Sequence, residues 1–345
     1  MIKEEFELRK ERNMKSSAHF SIKFIVGLAL LFAMFIVAMI FGAAQTSTQD
    51  LWHAMFSNLK NDQINILREI RLPREVAAII VGAALAVSGA IMQGITRNPL
   101  ADPGLLGLTS GANAALAITI ALLPVSNYLG ITIACFIGAA VGAVMVSSIS
   151  VAKKGGFSPL RIVLAGAAVS AFLYAIADGV GIYFKVSKDV SMWTSGGLIG
   201  TSWKQLEIIS PFIGIGILVA LLLSRQLTIL SLNEEVAVGL GQKTAQIKMI
   251  LFIVVILLAG ASVAIVGNMA FVGLMVPHIV RAVVGTDYRF IIPMSVVVGA
   301  IMMLIADTLG RTINIPYETP VAAIIAIMGL PFFLLIVRKG GSVFQ

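Results

Sequence analysis

One cysteine, three histidines and a charged fraction of only 12% exclude a good deal in a chain of 345 residues. Cys135 alone closes no internal disulfide and offers no thiolate cluster to a metal or an iron–sulfur centre. Three scattered histidines make no metal site either, and His278 reads as a structural residue or an interhelical hydrogen-bond donor. No nucleophile, metal cluster or carboxylate pair converges, which argues against a membrane-embedded enzyme. The run Gly239-Leu240-Gly241-Gln242-Lys243-Thr244 lacks the Gly-Lys-Ser/Thr ending and the preceding strand of a phosphate-binding loop, so it is no nucleotide-binding motif. No hydrophilic block is long enough to fold by itself. The net charge of +8 is scattered over short loops instead of striping a soluble face, which argues against nucleic acid as a partner.

What the chain has is apolar length. Mean hydropathy is +0.97 and 58% of residues are hydrophobic, and a bilayer core of about 30 Å needs roughly 20 apolar residues per helix. Hydropathy and helix punctuation predict ten spans, near 22–42, 74–94, 103–123, 129–150, 160–181, 206–225, 247–267, 271–284, 291–309 and 320–337. The chain therefore reads as all-α and polytopic: a cytosolic tail over 1–20, of mixed charge, and one membrane domain over 21–340. The first apolar run is too long for the core of a cleaved signal peptide and reads as an uncleaved span. Prolines in a first helical turn mark starts at Pro73, Asp102-Pro103, Ser158-Pro159 and Thr319-Pro320. With both termini inside, 17 of the 25 Lys and Arg fall at cytosolic segments, as the positive-inside rule requires.

Many spans are rich in Gly, Ala and Ser, as at 81–90 and 164–171, so their backbones can approach closely inside a bundle. The eighth run, 271–284, is short and interrupted by Pro277, which suggests a tilted, kinked or half-buried helix. Arg68, Arg71 and Arg74 crowd the outer mouth of the second span and Arg311 follows the ninth. Either something acidic docks there, or these arginines snorkel to lipid phosphates and pair with Glu69 and Glu75. Trp193 and Trp203 flank a glycine-rich outer turn and read as interfacial anchors. Asp178 and Asp307 fall near outer span ends, not at midplane, which weighs against an ion-coupled secondary transporter, the alternative reading.

Four segments carry a resemblance. Arg71-Leu72-Pro73-Arg74 opens the second span, and Asn98-Pro99-Leu100-Ala101-Asp102-Pro103-Gly104-Leu105-Leu106-Gly107 joins the second and third. Asn233-Glu234-Glu235-Val236-Ala237-Val238-Gly239-Leu240-Gly241 lies in the largest internal cytosolic loop. Phe271-Val272-Gly273-Leu274-Met275-Val276-Pro277-His278-Ile279-Val280-Arg281 is the fourth. In that order, over nearly the whole chain after residue 20, they resemble the FecCD-type permeases of bacterial ABC importers for iron–siderophore complexes, haem and cobalamin.

The resemblance implies the type II importer permease fold and a place in the bacterial cell membrane. It implies no cofactor bound to this chain, ATP and Mg on two partner ABC ATPases, a second permease subunit (identical or homologous), and an extracytoplasmic substrate-binding protein. Cargo would be an iron–siderophore chelate, most like ferric hydroxamate, with cobalamin or haem as alternatives. Loop 227–246 would couple to the ATPase, with Glu234 and Glu235 in the first of two short helices and Gly239 and Gly241 turning the chain between them. Arg71, Arg74 and Arg311 would dock the binding protein, with Arg68 a further candidate. Gly166, Ser170 and Tyr174, on one face of the fifth span, would line the translocation path, and Gly155 and Gly156 would hinge the cytosolic gate, although a plain solvated turn fits those two glycines equally well.

Overall fold

Apolar segments in hydrocarbon must satisfy every backbone N–H and C=O within the protein, and a helix does so locally. The computed structural model describes residues 2–42, 47–57, 59, 61–123, 127–151, 159–195, 197–315 and 317–338. Every regular element among them is helical. In chain order these are α1 (Ile2–Ile40), α2 (Thr48–Phe56), α3 (Asp62–Asn65), a π-helical turn (Ile66–Arg71), α4 (Leu72–Thr96), a 3-10 turn (Pro103–Leu106), α5 (Leu108–Leu122), α6 (Tyr128–Val151), α7 (Pro159–Tyr183) and α8 (Ser187–Ser195). There follow α9 (Trp203–Leu222), α10 (Ser224–Leu232), α11 (Glu234–Gly239), α12 (Thr244–Val266), α13 (Val272–Val284), α14 (Tyr288–Thr312) and α15 (Val321–Arg338).

All ten expected apolar runs are helices. Seven are long and apolar enough to cross a membrane, and Leu108–Leu122, Val272–Val284 and Val321–Leu335 are shorter. The 13 residues of α13 extend only about 20 Å at 1.5 Å per residue, short of a full crossing. The expected tail is continuous with the first span in α1.

Pro73 sits in the first turn of α4, as expected, but the helical run does not begin there: 62–96 is continuous, and the wider π turn leads into α4 with the Leu72 N–H donating to the Leu67 carbonyl. Pro103 opens only the 3-10 turn, whose Asp102 side chain accepts from the Gly104 N–H at 2.7 Å. The third span then starts at Leu108, after Gly107.

Small residues set the packing. A Cβ on Gly82 would collide with the Gly299 carbonyl of α14, and one on Gly89 with the Gly273 backbone of α13. Gly111 of α5 meets Gly138 of α6 in the same way. α4 is thereby buried almost all round at the centre, while α1 lies at the edge against α14. The bundle has two ends: one carries Arg71, Arg74 and Arg311, the other Arg97, α11 and Tyr288.

Candidate functional site

The arginine end is an internal ion-pair network. Arg74 Nη2 lies 2.8 Å from Asp307 Oδ1, and Arg74 Nη1 lies 2.9 Å from Glu318 Oε2. Arg311 Nε lies 2.9 Å from Asp307 Oδ2, one helical turn away, and Arg311 also pairs with Glu75. Arg71 donates to the carbonyls of Met39 and Ile40 at 2.7 and 3.1 Å, and Arg311 to those of Ala38 and Phe41, each at 3.2 Å. Two guanidiniums thus cap the last turn of α1, whose carbonyls have no intrahelical partners and sit at the negative end of the helix dipole. Gly42 fits there because a Cβ would lie 2.9 Å from Arg71 Nη2 and 3.0 Å from Arg311 Nη1.

The three arginines expected to dock a binding protein are therefore inside the bundle end, at 5%, 8% and 3% exposure for Arg71, Arg74 and Arg311. The physical reason is that a charge near hydrocarbon is costly until it meets an opposite charge, and α14 supplies Asp307 on the facing side of α4. Arg311 pairs with Glu75, as the second of the two sequence readings expects. Arg68 is also occupied: it donates to the carbonyls of His53, Ala54, Ser57 and Leu59 around the end of α2. Sequence reasoning passed over Glu318, which lies outside any span and more than two hundred residues from its partner.

At the other end α10 and α11 form an elbow. Asn233 caps α11 by accepting from the Glu235 N–H at 2.8 Å. Glu234 and Glu235 open the second of the short helices, not the first, because the break falls at Asn233, whose backbone is extended (φ −157°, ψ 139°). Glu234 is held by Lys248 at 2.6 Å and by Arg97 at 3.9 Å. Only one of the two expected glycines takes the left-handed backbone: Gly241, at φ +77°, makes the turn, while Gly239 is the last residue of α11. Leu232, Val236, Val238 and Leu240 stand exposed around the elbow.

The elbow is tied to the bundle. Thr228 of α10 donates to Asp287 Oδ1 at 3.1 Å and accepts from the Tyr288 N–H at 2.9 Å. Burial would push the Asp287 carboxyl up, but the hydrogen bonds from Arg289 and Thr228 outweigh it and hold the carboxyl below the usual carboxylate range. Gln93 of α4 donates to the carbonyls of Gly273 and Leu274, each at 3.2 Å, and accepts from Arg281 of α13. The elbow is thus joined to the start of α14 through Thr228 and to the end of α4 through Glu234 and Arg97, and Gln93 in turn joins α4 to α13.

On α7, Gly166 is buried and Ser170 and Tyr174 are half-buried. Ser170 accepts a hydrogen bond from Ser110 of α5 at 3.2 Å, so this face is engaged with a neighbour instead of lying open, and the exposed stripe carries Leu164 and Phe172. His278 makes an edge-to-face contact with Phe332 of α15, ring centroids 5.4 Å apart. Gly155 and Gly156 lie outside the described residues.

The model of the FecCD transport family matches residues 30–339. The iron(3+)-hydroxamate import system permease protein FhuB of Bacillus subtilis (strain 168) is 41% identical, over 92% of this chain and 83% of that protein. The iron-uptake system permease protein FeuB of the same organism is 40% identical over 92% and 95%, and the hemin transport system permease protein HmuU of Yersinia pestis is 38% identical over 86% and 90%. A metal-chelate type ABC transporter solved in an inward-facing conformation superposes with a TM-score of 0.81 at 26% identity, covering 92% of this chain and 99% of that one. This chain belongs to the FecCD transport family and is a membrane permease subunit of a metal-chelate ABC importer.

Proposed function

We propose that this chain carries a ferric hydroxamate chelate across the bacterial cell membrane, in a complex with a second permease subunit, two ABC ATPases that bind ATP and Mg, and an extracytoplasmic binding protein. The observation that supports the cargo is the 41% identity, over nearly the whole chain, to a permease named for iron(3+)-hydroxamate import. Both termini and the elbow lie in the cytosol, and the arginine end faces outward, which the positive-inside count supports.

On this reading the ATPase grips α10 and α11. Exposed Leu232, Val236 and Leu240 supply the apolar contact, and Glu235 the charge. Movement then passes through Thr228–Asp287 and Gln93–Arg281 to the helices that shape the path, and each nucleotide state favours a different arrangement of the gates. Binding-protein carboxylates reach Arg71, Arg74 and Arg311 by exchange with the internal partners. Glu318, 28% exposed at its side chain, is the partner nearest to solvent. Gly166, Ser170 and Tyr174 contribute to the path once α7 parts from α5, and Gly155 and Gly156 remain the hinge proposed for the gate.

The test is uptake into vesicles by the purified complex, with labelled ferric hydroxamate, haem and cobalamin compared with and without ATP. ATP-dependent uptake of ferric hydroxamate above the other two is expected; preference for haem or cobalamin would overturn the cargo, and uptake on an ion gradient alone would overturn the coupling.

A further inference from the structure

Irregular backbone at membrane depth persists only where protein buries it or where it lines a water-filled cavity. Here two breaks and the middle of a helix meet at one level. α12 rises about 35 Å from its elbow end whereas α13 reaches only about 20 Å from its own, so the link 267–271 descends into the bundle between them. α8 turns back inward after α7, and Thr194 lies about 10 Å along it from Ser187. Asn113 lies about 14 Å from the arginine end of α5. A Cβ on Gly267 would sit 2.9 Å from the Thr194 carbonyl oxygen, and its φ is +70°, so glycine is required there by both contact and backbone.

Thr109, Asn113, Cys135, Trp193, Thr194 and Asn268 line a cavity of about 10 Å³ at this point, room for about one water. None of the lining residues carries a formal charge. At the rim Asn268 is exposed and Asn113, Trp193 and Thr194 are half-buried. An exposed amide at this depth faces water or another subunit, because lipid offers it no hydrogen bond.

We infer that Asn113, Asn268, Thr194 and Trp193 form a neutral hydrogen-bonding station on the translocation path that recognises an uncharged chelate. The inference rests on the ferric hydroxamate reading proposed above and gives it a chemical reason. Three hydroxamate monoanions cancel the charge of Fe³⁺, leaving a neutral complex that presents oxygen acceptors and, in many cases, amide groups. The side-chain amides of Asn113 and Asn268 match those groups, the Thr194 hydroxyl, which donates to the Val190 and Ser191 carbonyls of its own helix, accepts, and Trp193 completes an uncharged rim. A tris-catecholate complex keeps a charge of −3, and a site without cations at this depth penalises it. The cavity is too small for the chelate, which touches only the rim.

The test uses the assembled importer in nanodiscs, with Cys135→Ala to remove the native thiol. Asn268→Cys and, separately, Asn113→Cys are introduced and labelled with a membrane-impermeant charged thiol reagent; Ile137→Cys, exposed at a similar depth on α6 among apolar residues, is the control. The expected result is labelling at 268 and 113 but not at 137, slowed several-fold when ferric hydroxamate is supplied by the binding protein. Asn268→Leu is expected to lower uptake of ferric hydroxamate by roughly tenfold while binding-protein-stimulated ATP hydrolysis persists. Absence of labelling in every nucleotide state, or labelling that cargo leaves unchanged while the parent protein transports it, overturns the station. Failure of the parent protein to take up ferric hydroxamate instead overturns the cargo reading, and with it the ligand class assigned here.

Discussion

Asp307 has no exposure, yet it holds Arg74 and Arg311 together across α4 and α14. Removing one member of a buried pair leaves an uncompensated charge, at about 3–5 kcal/mol. Asp307→Ala should therefore lower the unfolding temperature in detergent far more than Glu318→Ala, whose partly exposed pair contributes about 0–1 kcal/mol. Equal shifts would contradict the network. The arginines were legible in the sequence as charges crowded at span ends. Their burial was not, because Asp307 and Glu318 reach Arg74 from more than two hundred residues away. Because all three arginines are buried, reversing their charges together should damage the fold itself.

At the level of helices, close approach decides what can be substituted. Gly89→Leu should abolish assembly, because the new side chain meets the Gly273 backbone, whereas Gly214→Leu on α9 has open space and should leave yield and monodispersity unchanged. Asp287 links α10 to α14, and its folded-state carboxyl lies below its unfolded value. The stability it contributes is fully present above the unfolded value of about 3.9 and is lost as pH falls through the lower folded one. Protection of the α10 amides from hydrogen exchange should fall in that acid window, and Asp287→Asn should remove the pH dependence. The ten apolar runs were readable because length and hydropathy suffice to define them. The proline boundaries were less so, since Pro73 reads the same whether a helix starts there or passes through a π turn. α7 gave no guide to its facing: small and apolar residues surround it on every side, so the spacing of Gly166, Ser170 and Tyr174 names a stripe without saying what it meets.

At the scale of the whole molecule, the proposed function makes this permease a body moved from its elbow by a separate nucleotide-driven machine. Leu240→Arg and Glu235→Lys place new charge on the exposed side of that elbow while sparing the Glu234–Lys248 pair. Transport should fall by an order of magnitude or more while docking of the binding protein is retained; normal uptake in both variants would reject the elbow as the coupling element. The most direct measurement is the accumulation of labelled ferric hydroxamate in vesicles containing this permease, its ATPases and its binding protein. Accumulation that requires ATP and stops when the ATPases are omitted is predicted, and undiminished accumulation without them, driven by an ion gradient, would contradict the account.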